Sequence, residues 1–239
     1  MRSLALCLLF LLAAAPPAFA ESLPRAIYVD PPEDPHHPSR SEAVHFPAGS
    51  AEIQGSAYIP SGAGPHPTAL LLHDIADPER NLDLAQSMRR AGWIVVSIDC
   101  SASLEDSDAA LAYLRQPETV QKLDVDTKRI VVIGHSLGGW VAARTVAQDP
   151  ALLGAALISP GGTDSPAETL VPQLKDRRVL LLYSHDGGEK DVRALVEALK
   201  TAKAKNLTAA YTATDHLWSD HRIALQAQVI NWLESLPAK

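Results

Sequence analysis

Short apolar runs alternate with amphipathic stretches along most of the chain, beginning after residue 40. Residues 68–72 (Thr-Ala-Leu-Leu-Leu) and 93–98 (Trp-Ile-Val-Val-Ser-Ile) are too short for buried helices and are bounded by turn residues, so they read as buried strands. The same pattern returns at 129–133, 155–159, 179–183 and 208–212. Between them, residues 81–91, 106–114, 140–147, 192–202 and 223–236 predict helices. In the first of these, Leu82, Leu84, Ala85 and Met88 recur at helical spacing and Gly92 ends the run. Strands separated by helices make a mainly parallel sheet covered on both faces. Residues 43–46 and 51–59 lack an intervening helix and are joined through Ala48-Gly49-Ser50, which predicts an antiparallel pair at one edge. The expected fold is therefore α/β, with a mainly parallel sheet of about eight strands and helices on both faces. Between the sixth and seventh strands there is room for one short helix, about 167–174, but not for a cap domain.

The start of the chain has another character. Arg2, the apolar residues 4–12 and the small-residue pattern Ala18-Phe19-Ala20 read as a secretory signal peptide over residues 1–20. The apolar run falls short of the ~20 residues a membrane span requires. The expectation is export to the periplasm or beyond, cleavage before Glu21, and no membrane association afterwards. Residues 21–40, rich in proline, form an irregular leader that either hugs the surface or stays mobile, and 41–239 form one domain. Only Cys100 remains beyond the cleavage point, so neither an intramolecular disulfide nor a cysteine metal cluster is expected.

Charge narrows the partners. Lys and Arg number 21 against 28 Asp and Glu, and no basic run occurs, which argues against nucleic acid and anionic membrane surfaces. Composition says nothing of the oligomeric state. His36-His37, near Glu33 and Asp34, reads as an exposed turn between prolines and not as a metal site. His66, between Pro65 and Pro67, is expected to be exposed.

The strongest chemical signal is Gly134-His135-Ser136-Leu137-Gly138-Gly139. It places a serine between two glycines, each two residues away, after a predicted strand and at the opening of a predicted helix. Such a serine sits on a sharp turn with its hydroxyl presented at the carboxyl end of the sheet. Side chains two residues before and after it would collide, hence Gly134 and Gly138. The following helix points its first N–H groups at developing negative charge.

From about Ser41 to Leu236 the chain resembles the α/β-hydrolase family, in particular its small lidless branch similar to dienelactone hydrolases and carboxylesterases. The resemblance implies a nucleophile, an acid and a histidine in that order along the chain. Ser136 takes the first place. Asp186, in Ser184-His185-Asp186-Gly187-Gly188 after the seventh strand, takes the second, with Asp191 as competitor. Asp191 also reads as a charge opening the next helix. His216, in Asp215-His216-Leu217-Trp218 after the last strand, takes the third, and His221 reads as a solvated residue of the final helix's first turn. Oxyanion donors are implied at the backbone N–H groups of Leu137 and Ile75. In His73-Asp74-Ile75, Asp74 departs from the family's usual His-Gly and should point away from the oxyanion pocket.

The implied activity is a cofactor-independent and metal-free serine hydrolase acting on a small-molecule carboxylic ester. A serine nucleophile departs from the cysteine of true dienelactone hydrolases. Two competing readings are a peptidase resembling the catalytic domain of the prolyl oligopeptidase group and a non-catalytic binding protein on the same scaffold.

Overall fold

Each apolar run pairs with its neighbours to build one eight-stranded sheet, in the order β1-β2-β4-β3-β5-β6-β7-β8. The structure is a computed structural model and describes residues 23–72, 81–98, 103–161, 167–186 and 189–238. The expected signal peptide, Cys100, and the Asp74 and Ile75 positions lie outside the described residues.

Strands β1 (Arg40–Ala48) and β2 (Ala51–Ile59) form the expected antiparallel hairpin, and β2 joins β4 (Ile94–Ile98) antiparallel. The remaining pairs are parallel, through β3 (His66–Leu72), β5 (Val125–His135), β6 (Gly154–Ile158), β7 (Arg178–Tyr183) and β8 (Leu207–Tyr211). The helices are α1 (Leu82–Arg90), α2 (Leu104–Leu114), α3 (Pro117–Leu123), α4 (Leu137–Gln148), α5 (Ala167–Leu174), α6 (Glu189–Thr201) and α7 (Arg222–Ser235). Among the described residues only α5 lies between β6 and β7, and no cap domain stands over the sheet.

Alternation along the strands divides the core. Leu70, Leu72, Val132 and Leu181 face one layer with Leu111 of α2, Val141 of α4 and Leu195 of α6. Leu71, Val131, Ile133 and Leu182 face the other, with Leu84 and Met88 of α1 and Leu225 and Val229 of α7. The strand pattern reads as continuous hydrophobicity because both faces are buried.

Two local differences from the sequence reading, at His66 and at α3, have physical causes. His66 is not exposed: it opens β3, is only 9% accessible, and its Nε2 lies 3.1 Å from the Gly62 carbonyl. Pairing of its N–H with the Asp124 carbonyl (2.7 Å) draws it into the sheet despite the flanking prolines. Helix α3 has no counterpart among the predicted helices. Pro117 in its first turn and the left-handed Asp124 at its end delimit it. The leader packs against α1 and α7, with Ala26 in the core and Arg90 donating to the Ala26 carbonyl at 2.6 Å and the Ile27 carbonyl at 3.2 Å.

Candidate active site

The parallel strands β5, β7 and β8 bring Ser136, Asp186 and His216 to the carboxyl edge of the sheet. Central strand β5 ends at His135 and α4 starts at Leu137, so Ser136 makes the whole turn by itself, at φ 57° and ψ −125°. That left-handed φ is one L-residues rarely adopt, and surrounding bonds maintain it. The Ser136 N–H donates to Ile158 O at 3.0 Å, and its carbonyl accepts from Gly139 (3.0 Å) and Gly161 (3.3 Å). The flanking glycines are required by space. A Cβ on Gly134 would lie 2.0 Å from the Gly138 carbonyl oxygen, and one on Gly138 would lie 2.6 Å from the Leu72 carbonyl oxygen. Leu137, the implied oxyanion donor, is the first residue of α4, where helical amides have no partner within the helix.

His216 lies between β8 and α7 on a loop held from several sides. Trp218 is fully buried, and its indole N–H donates to Ser159 Oγ (2.9 Å), which in turn lies 2.9 Å from Ser184 Oγ. The turns after β6, β7 and β8 are thereby joined. Asp215 accepts the Leu217 and Ser219 N–H groups at 3.0 and 2.9 Å. Hydrogen bonds from Ser219, foremost its backbone N–H, hold the Asp215 carboxyl below its ordinary pKa. Asp220, bonded by the Thr214 hydroxyl and then by His221, is lowered to about 2.

His135, the variable residue of the elbow, brings this loop to the nucleophile. Its Nε2 lies 2.9 Å from the His216 carbonyl oxygen, and the two imidazoles stack with centroids 5.3 Å apart. His135 is 3% exposed, and its Nδ1 faces Asn81 Nδ2 at 3.3 Å. Sequence reasoning passed over His135, Asn81 and Arg222. The one available signal was an imidazole inside the elbow motif itself.

The acid is the least assembled part. Asp186 is exposed on the turn after β7, two residues past Ser184, and no hydrogen bond or ion pair joins it to His216. The Nδ1 atom of His216 is buried without a hydrogen-bond partner. The two loops nevertheless touch, through the His185 N–H and the Thr214 carbonyl at 3.1 Å. Asp191 lies exposed in the first turn of α6 beside Glu189, where a carboxylate favours the helix amino terminus. His221 is the amino-terminal cap residue of α7. Among the described residues no group of three or more His, Cys, Asp or Glu could hold a metal ion, and no helix is long and apolar enough to cross a membrane.

Comparison with known proteins agrees with this architecture. No curated sequence matches the chain. A solved thermostable carboxylesterase from a metagenomic library is 20% identical, with a TM-score of 0.67 over 84% of this chain and 91% of its own. A dienelactone hydrolase from Anabaena variabilis is 19% identical, with a TM-score of 0.63 over 83% of this chain and 98% of its own. An acylaminoacyl peptidase from Pyrococcus horikoshii is 14% identical, with a TM-score of 0.66 over 84% of this chain but only 42% of that longer one. At these identities the likeness is one of fold, while the sequence itself matches the profile of the alpha/beta hydrolase family over residues 84–235, more than half of the chain. The elbow at Ser136, the strand order and this match together place the protein in the alpha/beta hydrolase family.

Proposed function

We propose that the protein is an exported serine hydrolase that cleaves small carboxylic esters through an acyl-enzyme on Ser136. The observation that carries this reading is the strained Ser136 turn at the head of α4, with the His216 loop docked on the adjoining His135. In the proposed reaction the Ser136 hydroxyl attacks the ester carbonyl while His216 Nε2 takes its proton. The tetrahedral intermediate collapses, the alcohol leaves with the proton returned by His216, and the acyl group stays on Ser136. Water, deprotonated by His216, then releases the acid and restores the serine. The Leu137 and Ile75 N–H groups are assigned to the developing oxyanion.

For Nε2 to act as a base, the His216 proton must sit on Nδ1, and a buried Nδ1–H needs an acceptor. Asp186, on the loop touching Thr214, is assigned that role. Hydrogen bonds of this kind commonly tighten only when substrate is bound. The carboxylesterase and dienelactone hydrolase neighbours favour an ester over a peptide as substrate.

A panel of chromogenic esters and peptides, combined with fluorophosphonate labelling, tests the reading. Ester turnover and labelling, both lost in Ser136→Ala, are expected. Peptide turnover without ester turnover would favour the peptidase, and a folded protein that does not label at all would favour the non-catalytic binding protein. Amino-terminal sequencing of exported material should begin at Glu21, whereas an intact Met1 on soluble cytoplasmic protein would reject export.

A further inference from the structure

Behind the elbow lies a polar network that the triad does not use. Asp83 at the start of α1 forms a two-point pair with Arg222 at the start of α7, through Arg222 Nε and Nη2. Asp83 also accepts from Gln226 Nε2 at 2.9 Å. Arg222 Nη2 donates to Asn81 Oδ1 at 3.2 Å, and its Nη1 donates to the Leu217 carbonyl at 3.1 Å. Asn81 is 1% exposed and faces His135, whose ring reaches the His216 carbonyl.

The chemistry of these groups gives the network a direction. A guanidinium can only donate, so Asn81 must turn its oxygen to Arg222. The opposite amide orientation would set N–H against N–H. Its Nδ2 must therefore donate to His135 Nδ1, which has to carry a lone pair. The remaining proton of the neutral ring is then on Nε2, aimed at the His216 carbonyl. Arg222 grips the next carbonyl along the chain, that of Leu217.

We infer that Asp83, Arg222, Asn81 and His135 form a positioning relay that locks His135 as the neutral Nε2–H tautomer and thereby sets His216 against Ser136. None of the four is assigned a step in the proton transfer, although His135 also stacks on the His216 ring, with centroids 5.3 Å apart. They hold the main chain of the base, leaving its ring free for proton transfer. The functional part of this inference rests on the serine hydrolase reading, and the tautomer part does not.

The test uses the full chain labelled with 15N-histidine. Long-range 1H–15N correlation, with His135 assigned by its loss in His135→Phe, should show an unprotonated Nδ1 and a protonated Nε2 in the wild type. In Asn81→Asp, whose carboxylate accepts from both sides, His135 Nδ1 should gain a proton. A wild-type His135 protonated on Nδ1 would overturn the relay. Kinetically, folded Asn81→Leu should lose at least about tenfold in the saturating rate of fluorophosphonate labelling, given that a misplacement of about 1 Å can cost about a hundredfold. The half-saturating probe concentration should change by less than about threefold, since the relay does not contact the ligand. An unchanged saturating rate would reduce the network to a staple between α1 and α7 and refute positioning. If Asn81→Leu does not fold, Asn81→Asp and the wild-type tautomer decide. If the wild type does not label at Ser136, the hydrolase reading fails and the tautomer pattern alone judges the lock.

Discussion

Replacing Ser136 by alanine and by glycine removes the same hydroxyl, yet the two variants should differ in stability. At φ 57° and ψ −125° the backbone of Ser136 is strained for any residue carrying a Cβ. Such positions cost of order ~1–3 kcal/mol, a cost that alanine retains and glycine relieves. Against this, glycine frees the unfolded chain by roughly 0.4–1 kcal/mol relative to alanine. Taking the middle of each range, about 2 less about 0.7, the balance favours Ser136→Gly over Ser136→Ala by about 1.3 kcal/mol. For a domain of this size each kcal/mol moves the midpoint by ~2–4 °C, so a gap of about 3–5 °C is expected. Calorimetry of both variants in one buffer measures it, with fluorophosphonate labelling confirming that both have lost the nucleophile. Equal midpoints, or a less stable glycine variant, would show that the elbow stores no strain and that its bonds to Ile158, Gly139 and Gly161 merely follow the turn.

Three further outcomes are expected. Gly134→Ala, whose Cβ would meet the Gly138 carbonyl oxygen at 2.0 Å, should destabilise by about 3 kcal/mol or more in urea unfolding, because backbone on both sides cannot yield. Asp186→Asn should slow the chemical step by several powers of ten, of the order of about 10⁴ for a neutralised triad acid, while Asp191→Asn leaves it nearly unchanged. Steady-state kcat values for the two decide which aspartate serves His216, and the reverse ranking would transfer the role to Asp191. Burial alone would raise the Asp83 carboxyl, but its bonds and charge contact with Arg222 outweigh that and lower it. With a folded pKa below the unfolded one, its contribution is present above the ordinary aspartate range and disappears as pH falls through the folded value. Asp83→Asn should therefore be less stable than wild type at pH 7, with the difference closing on acidification below about pH 4. A difference that does not vary with pH would show that the carboxylate charge is not what matters there.

Much of the molecule could be read before any coordinates. Strands β4 and β7 are largely apolar because both faces are covered, and such runs bounded by turns have few other solutions. The serine elbow was equally legible, since Gly134 answers to a close contact only four residues on, at the Gly138 carbonyl, although the contact that requires Gly138 comes from Leu72 on the neighbouring strand β3. His66 was misread because exposure was judged from local prolines, whereas its burial comes from a bond to Asp124, 58 residues further on. The relay was out of reach for the same reason. Asn81 and Arg222 lie 141 positions apart, and polar residues at helix starts carry no periodic signal. The acid stayed ambiguous between two aspartates on one short stretch, as loop conformation decides which carboxylate approaches Nδ1.

The strand order also has a dynamic consequence. Strand β5 has four strands on one side and three on the other, so the amides leading to Ser136 exchange with solvent only when most of the domain opens. The His216 loop follows β8, the edge strand, half of which faces water. Among the strands β8 parts from β7 alone, so what holds its loop is the set of side-chain bonds from Trp218, His135 and Arg222. Nucleophile and base are thus mounted on regions of unequal resistance to opening. Under rising denaturant the loop should lose its hydrogen-exchange protection first, and labelling of Ser136 should fail while the central sheet still keeps its amide protons.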